Sequence, residues 1–199
     1  MRRYFFCLVV YILFSMAGCT VYKPKSETDW YFQLATPKHY DVWVEHLEFE
    51  LSGVRHWYHP AGTMSCCWRG PSGPSGIMGS LDPFPNYVGL QWFSLAEQTF
   101  YQRLIEVKSE WKARMLEDAP VTTAGGIEYG PRNILTFGLA PGGEIVIWIK
   151  SQIGNEVEIA RLQANEIEGD PAEYEVLREN YLVEHGEYLK KHGIPLEGW

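Results

Sequence analysis

The clearest hydrophobic pattern in the chain lies in residues 132–164, where three apolar segments are separated by two short turns. Residues 133–139 alternate between apolar and polar positions, which is typical of a strand with one buried face. Residues 144–150 are apolar on both faces, which predicts a central strand covered on both sides. Pro and Gly in 140–143 and Gly-Asn at 154–155 are turn residues. The stretch is therefore predicted to form an antiparallel meander.

Two strands change the phase of their alternation. In residues 156–164 the apolar positions shift by one residue near Arg161, and in residues 40–51 they shift around Glu45 and His46. Because successive side chains of a strand point to opposite faces, a shift of one residue exchanges the two faces. The sequence predicts a β-bulge around Glu45 and His46, and either a bulge or a change of strand partner near Arg161.

Other segments complete the predicted sheet. Residues 30–34, 87–95 and 99–105 have the composition and alternation of strands. Residues 59–85 are rich in Gly, Pro and Ser and show neither the two-residue period of a strand nor the 3.6-residue period of a helix. We therefore interpret them as one long loop within a domain. Residues 121–130 are predicted to be a connection into the meander.

Two helices are predicted. Ser109 is expected to cap a short helix that ends before Pro120, and Asp170 is expected to cap a longer one, with Pro171 at its first position and Glu173 in a capping box. One face of the longer helix carries these side chains at helical spacing: Tyr174, Leu177, Tyr181, Tyr188 and Leu189. The prediction is an α+β fold, mainly antiparallel sheet in a meander or sandwich-like arrangement, with the C-terminal helix packed on it.

The N-terminal residues have the features of an export signal. Residues 1–18 start with two arginines, continue with an apolar run and end in small residues before Cys19. The pattern resembles a bacterial lipoprotein signal, in which Cys19 becomes the lipidated first residue. An ordinary secretory signal followed by a chance cysteine is the alternative. We interpret residues 19–28 as a tether and residues 29–199 as a single domain.

Charge argues against one class of partner. Removing residues 1–18 takes away Arg2 and Arg3, which lowers the net charge from −8 to −10. Nucleic-acid binding needs a basic face that neutralises phosphates. We therefore expect no nucleic-acid partner.

The candidate chemistry is sparse. Adjacent Cys66 and Cys67 could close a strained disulfide or stay reduced, and with His56 and His59 they could supply metal ligands. Adjacent cysteines do not easily reach one tetrahedral ion, so no metal or other cofactor is predicted. Glu97 is the one acid that could be functional, although capping of the backbone or pairing with a nearby arginine such as Arg103 explains it more simply.

Three blocks of sequence resemble a known family. Residues 90–101 (LQWFSLAEQTFY), 135–148 (LTFGLAPGGEIVIW) and 157–164 resemble proteobacterial lipoproteins of domain-of-unknown-function family 2931. The resemblance implies an outer-envelope lipoprotein, and Thr20 after the cysteine favours the outer membrane. It further implies that some members are immunity partners of toxic effectors delivered by type VI secretion, phospholipases in particular. It supplies no catalytic residues.

We therefore expect a protein-binding role and no enzymatic activity. The partner is expected to be a toxic effector or an envelope protein, and Trp57, Tyr58 and Trp68 are the candidate contact residues because exposed aromatic side chains are frequent in binding hot spots. An envelope enzyme or metal-binding protein centred on the loop from His56 to Trp68 is the alternative.

Lipid attachment at Cys19 is testable in cells. A palmitate analogue should label the wild-type protein and should not label Cys19→Ser, because the serine hydroxyl cannot form the thioether to the lipid. Label that persists in Cys19→Ser would contradict the prediction.

Overall fold

The computed structural model describes residues 28–65, 68 and 78–199. Within these residues the chain forms two main sheets, a two-stranded hairpin and two α-helices. In chain order the strands are β1 (Tyr31–Ala35), β2 (Val42–Leu51), β3 (Arg55–Tyr58), β4 (Thr63–Met64), β5 (Met78–Ser80), β6 (Tyr87–Ser94), β7 (Thr99–Glu106), β8 (Ala119–Thr123), β9 (Gly126–Gly130), β10 (Ile134–Leu139), β11 (Glu144–Lys150), β12 (Val157–Gln163) and β13 (Asn165–Ile167). The helices are α1 (Ser109–Met115) and α2 (Glu175–His192), and 3-10 turns occupy Pro141–Gly143 and Pro171–Tyr174.

The first sheet, sheet A, contains the predicted meander. Its order is β12-β11-β10-β1-β5, and β11 is buried on both faces, as its composition predicted. All neighbours are antiparallel except β1 and β10, which run parallel. A bulge is present at both predicted places. Ile159 has no partner where the register against β11 shifts, and Glu45 is the extra residue of β2.

The second sheet, sheet B, has the order β13-β7-β6-β2-β3, with β4 also paired to β2. Inward side chains of both sheets form one apolar core, to which α1 adds Trp111 and Met115. Two sheets packed over a shared core form a sandwich. The mainly antiparallel sheets together with the two helices confirm the predicted α+β class. Among the helices of the described residues, none is long and apolar enough to cross a membrane.

Some local predictions are wrong. Residues 121–130 belong to the hairpin of β8 and β9, and Pro120 lies inside β8. The predicted loop 59–85 contributes β4 and β5, while residues 66, 67 and 69–77 of it lie outside the described part of the chain. Lys108, not Ser109, is the N-cap of α1.

The C-terminal helix differs from its prediction at one end only. Asp170 accepts a hydrogen bond from the Ala172 N–H at 3.0 Å and so caps the 3-10 turn, while the α-helix begins at Glu175. The predicted capping box is therefore wrong, because Pro171 begins a 3-10 turn and the α-helix starts only after this turn. The packing prediction is confirmed by a cluster shared between the helix side and sheet B: Tyr174, Leu177, Tyr181 and Leu189 with Phe93, Leu95 and Phe100.

The outer face of sheet A carries buried polar side chains. Gln33, Thr136 and Lys150 are at most 1% exposed, and their side-chain polar atoms have no hydrogen-bond partner among the described residues. Burial lowers the pKa of Lys150 to about 8. Trp148 and Trp68 lie on the same face, with ring centroids 4.9 Å apart.

A polar cluster joins α2 to the turn between β1 and β2. His185 lies between His39 and Asp41, with 3.3 Å between the two Nδ1 atoms and 3.5 Å from its Nε2 to the Asp41 carboxylate. His39 adopts a left-handed φ of 75°, and its carbonyl accepts a hydrogen bond from the Tyr181 hydroxyl at 2.7 Å. Burial raises the pKa of Asp41 from 3.8 to about 6, against the opposing effect of His185 and with a smaller contribution from Glu184.

Asp41 should therefore make stability depend on pH. A carboxyl whose pKa is raised by folding contributes stability that is fully present below pH 3.8 and is lost as the pH rises through 6. Between about pH 4 and pH 7 the free energy of unfolding of the wild type should fall relative to that of Asp41→Asn by about 2 kcal/mol. Urea unfolding at a series of pH values measures this difference. Parallel stability curves for the two proteins would contradict it.

Candidate protein-binding face

The outer face of sheet B is covered over only part of its area. Helix α2 packs over Phe93 and Phe100 and, at its edge, Trp43. The rest of the face, toward the other ends of the same strands, is not covered by α2. We call this region the open face. It consists of three rows of outward residues across β3, β2, β6, β7 and β13: His56, Glu50, Tyr87 and Glu106; Tyr58, Glu48, Gly89 and Leu104; His46, Gln91, Gln102 and Asn165.

A shallow groove runs through the middle row. Gly89 has no side chain between those of Glu48 and Leu104, and a groove of about 490 Å³ opens there. A Cβ added at Gly89 would meet the Glu48 Cβ at 3.6 Å, which is an ordinary contact. Leu104 is 66% exposed at the side of this groove, and Tyr58 is 51% exposed at the edge strand. The open face thus has a concave centre with exposed apolar area on both sides of it.

The charge of the open face is acidic. Its carboxylates are Glu48, Glu50 and Glu106, and they outnumber Arg103, the cation that lines the groove. His56 Nε2 lies 3.4 Å from the Glu48 carboxylate. Carboxylates on a flat sheet attract a basic surface and repel an acidic one. The arrangement suits a protein partner whose contact surface is basic.

The structure does not bring the three predicted contact residues together. Tyr58 lies on the open face, where its hydroxyl donates to the Glu45 carbonyl at 3.4 Å. Trp57, its neighbour on β3, points the other way and stacks on Phe49 with 5.5 Å between ring centroids. Trp68 packs against sheet A beside Trp148. Of the three side chains, Tyr58 is therefore the one placed to meet a partner at this face.

The alternative metal site does not assemble from the residues that the structure describes. His56 is on the open face, whereas the His59 ring packs edge to face on Phe32, at 4.8 Å, and its Nδ1 lies 2.8 Å from the Pro60 carbonyl oxygen. Cys66 and Cys67 lie outside the described residues. Within residues 28–65, 68 and 78–199, no group of three or more His, Cys, Asp or Glu could hold a metal ion.

Glu97 connects the two sheets. Its Oε1 accepts a hydrogen bond from the Tyr101 hydroxyl at 2.9 Å and another from the Gly142 N–H at 2.8 Å. Its own N–H donates to the Ser94 hydroxyl at 3.4 Å. Burial, and then the charge of Glu97, raises the pKa of Tyr101, so this hydroxyl stays a hydrogen-bond donor. Glu97 therefore caps a backbone group, the N–H of Gly142, in agreement with one of the simpler interpretations of the sequence.

The turn that Glu97 holds requires glycine at two successive positions. Gly142 has φ of 77°, and a Cβ there would lie 2.1 Å from the Leu196 carbonyl oxygen. A Cβ at Gly143 would lie 2.7 Å from the Tyr101 ring. The Gln163 amide donates to the Gly142 carbonyl at 2.6 Å. We call Glu97, Tyr101, Gly142 and Gly143 the sheet junction.

Comparison with protein families identifies the chain. Its sequence matches, over residues 19–197, a family described as protein of unknown function (DUF2931). The chain belongs to this family. The searches of curated proteins and of solved structures find no match. The predicted family resemblance is confirmed, while lipid attachment and an immunity role stay predictions.

The sequence blocks that carry the DUF2931 resemblance have a structural explanation. Block 90–101 supplies Glu97 and Tyr101, and block 135–148 supplies Gly142 and Gly143. These blocks meet at the sheet junction, so they specify how the two sheets are joined. The central residues of the open face, Glu48, Gly89 and Leu104, lie outside the blocks, and sequence reasoning missed them. Their signal was the outward half of each strand's alternation, but only the register of three strands, β2, β6 and β7, shows that these residues are neighbours.

The sheet junction should be sensitive to a single methyl group. Gly142→Ala introduces both left-handed backbone strain and a clash with the C-terminal backbone. Gly53→Ala is a matched control, because Gly53 has φ of 76° and nothing within 4 Å of an added Cβ. We expect the control to cost about 1 kcal/mol and Gly142→Ala to cost about 2 kcal/mol more. Urea midpoints measure both, and equal losses would show that the turn tolerates a side chain.

Proposed function

We propose that this member of DUF2931 is an envelope lipoprotein that binds another protein through the open face. Two sequence observations support the lipoprotein part. Residues 1–18 have the order of regions found in lipoprotein signals, and the family match begins at Cys19, the residue expected to carry the lipid. The location that we propose is the outer membrane, facing the periplasm.

The observation that supports binding is the uncovered half of sheet B. Helix α2 covers the part of this face that carries Phe93 and Phe100, yet the remaining part is left exposed with Tyr58 and Leu104 on it. Tyrosine is enriched among residues that dominate binding energies, because its ring buries a large area and its hydroxyl finds a partner. Around these residues the carboxylates form a polar rim, as in many transient interfaces.

The partner that we propose is a toxic effector with a basic contact surface. The family resemblance supports an effector delivered by type VI secretion, such as a phospholipase. The acidic charge of the open face is the reason for proposing that the effector's contact surface is basic. A chain whose residues 19–199 carry a net charge of −10 is steered toward a basic protein, and the association rate rises. Rapid capture suits a protein that must neutralise a toxin on arrival.

Charge reversal and truncation on the open face test this proposal. The binding partner for the assay is the protein captured from periplasmic extract by the soluble domain that lacks Cys19, identified and then purified. Tyr58→Ala should weaken binding by about 30-fold, which corresponds to about 2 kcal/mol for a hot-spot tyrosine. Glu48→Arg should weaken it further and should reduce the dependence of the association rate on salt.

The control is a charge reversal on another surface. Glu187 is exposed on α2, away from the open face, so Glu187→Arg changes the net charge equally and should leave the dissociation constant nearly unchanged. Thermal unfolding of each variant separates lost contacts from lost folding. Wild-type affinity in both Tyr58→Ala and Glu48→Arg would place the interface elsewhere.

A further inference from the structure

Four exposed apolar side chains lie near one another at one end of the sandwich. Ile127 and Tyr129 of β9 are 67% and 72% exposed, Leu116 after α1 is 51% exposed, and Ile153 in the turn between β11 and β12 is 58% exposed. Ile127 and Tyr129 lie two residues apart on one strand, so they share a face of the hairpin. Their cross-strand partners on β8 are Thr122 and Pro120, respectively. We call these four side chains, Leu116, Ile127, Tyr129 and Ile153, the apolar end.

Hydrogen bonds hold the parts of the apolar end together. The Asn155 amide donates to the Pro120 carbonyl at 3.1 Å, and the Thr122 N–H donates to the Gln152 side chain at 3.1 Å. The Arg132 N–H donates to the Met115 carbonyl at 2.8 Å. The hairpin, the end of α1 and the turn after β11 are thus neighbours. A two-stranded hairpin alone is marginally stable in water, so a surface that covers its apolar face would stabilise it.

The chain enters the described fold at this same end. The Asn133 amide donates to the Asp29 carbonyl at 3.1 Å, and the Tyr31 N–H donates to the Asn133 carbonyl at 2.9 Å. Because β1 and β10 are parallel and paired from Tyr31 and Ile134 onward, both strands begin beside the base of the hairpin. The end that follows the tether is therefore the end that carries the exposed Ile127 and Tyr129.

The tether limits how far this end can be from a lipid. Eight residues lie between Cys19 and Thr28, and even a fully extended chain over these nine Cα–Cα steps spans about 30 Å. A lipid on Cys19 therefore keeps the bilayer surface within that distance of Thr28. Within so short a reach, the effective concentration of the surface is high, and a contact too weak to bind from solution becomes populated.

We propose that the apolar end rests on the lipid surface to which Cys19 anchors the chain. This inference depends on the proposed lipid anchor. Isoleucine and leucine enter the apolar part of the bilayer edge, and tyrosine is favoured at the level of the headgroups because one end of its ring is apolar and the other is polar. The partner of this surface is thus the bilayer itself, and the domain is held in one orientation on it.

Site-specific photo-crosslinking in intact cells tests the proposal. Ile127 of the full chain is replaced by a photoreactive phenylalanine analogue, and the purified adducts are identified by mass. We expect a phospholipid adduct at position 127. The matched control is the same replacement at Val183, which is 90% exposed on α2 and should give no phospholipid adduct.

The outcomes separate the two proposals. Palmitate labelling is measured on the same cells: labelled protein without a phospholipid adduct at position 127 overturns the lipid contact and leaves the anchor standing. An adduct at 127 with a second copy of the chain or with another protein, or equal phospholipid adducts at 127 and 183, also overturns it. Absence of the palmitate label overturns the anchor, and with it the inference that depends on it.

Discussion

The carboxylate of Glu97 is the interaction on which the arrangement of the two sheets depends. It lies in the turn between β6 and β7 of sheet B, and one of its oxygens accepts from Gly142, in the turn between β10 and β11 of sheet A. A hydrogen bond from a backbone N–H to a charged carboxylate is about twice as strong as a neutral one. The bond therefore fixes the two turns against each other at the end of the sandwich opposite the apolar end. Around it, the absence of side chains at Gly142 and Gly143 lets Leu196 and the Tyr101 ring approach.

Much of this fold could be predicted from local patterns. Alternation predicted β10 and β12, because burial of one face leaves a two-residue period in the sequence, and shifts in that period predicted the bulges. A continuous apolar run predicted β11, which is buried on both faces. The hairpin of β8 and β9 left no such period, since its strands are short and Ala119 is the only one of their residues that is fully buried. The parallel pairing of β1 with β10 joins residues about a hundred positions apart, and no local signal encodes it. The open face was missed for the same reason, because the register between strands decides which of its residues lie side by side.

The positions of the family blocks and of the open face suggest a division of roles. The blocks contribute the sheet junction, whose hydrogen bonds and close contacts leave little freedom in residue type. Tyr58, Glu48 and Leu104 lie outside the blocks, on a surface where a substitution changes charge or shape without disturbing the core. A scaffold of this kind can keep one fold while its contact surface is adapted to different partners.

The two proposed contacts are compatible because they use different sides of the same sandwich. Strands β2 and β6 run between the end that carries the hairpin and the end that carries the sheet junction, and β2 with ten residues is about 33 Å long. The open face is a side of sheet B, and its side chains point roughly perpendicular to the strands. With the apolar end on the bilayer, those strands stand away from the membrane and the open face points sideways into the periplasm. Tyr58 and Glu48 are then reachable by a soluble protein while the lipid anchor and the apolar end remain on the membrane.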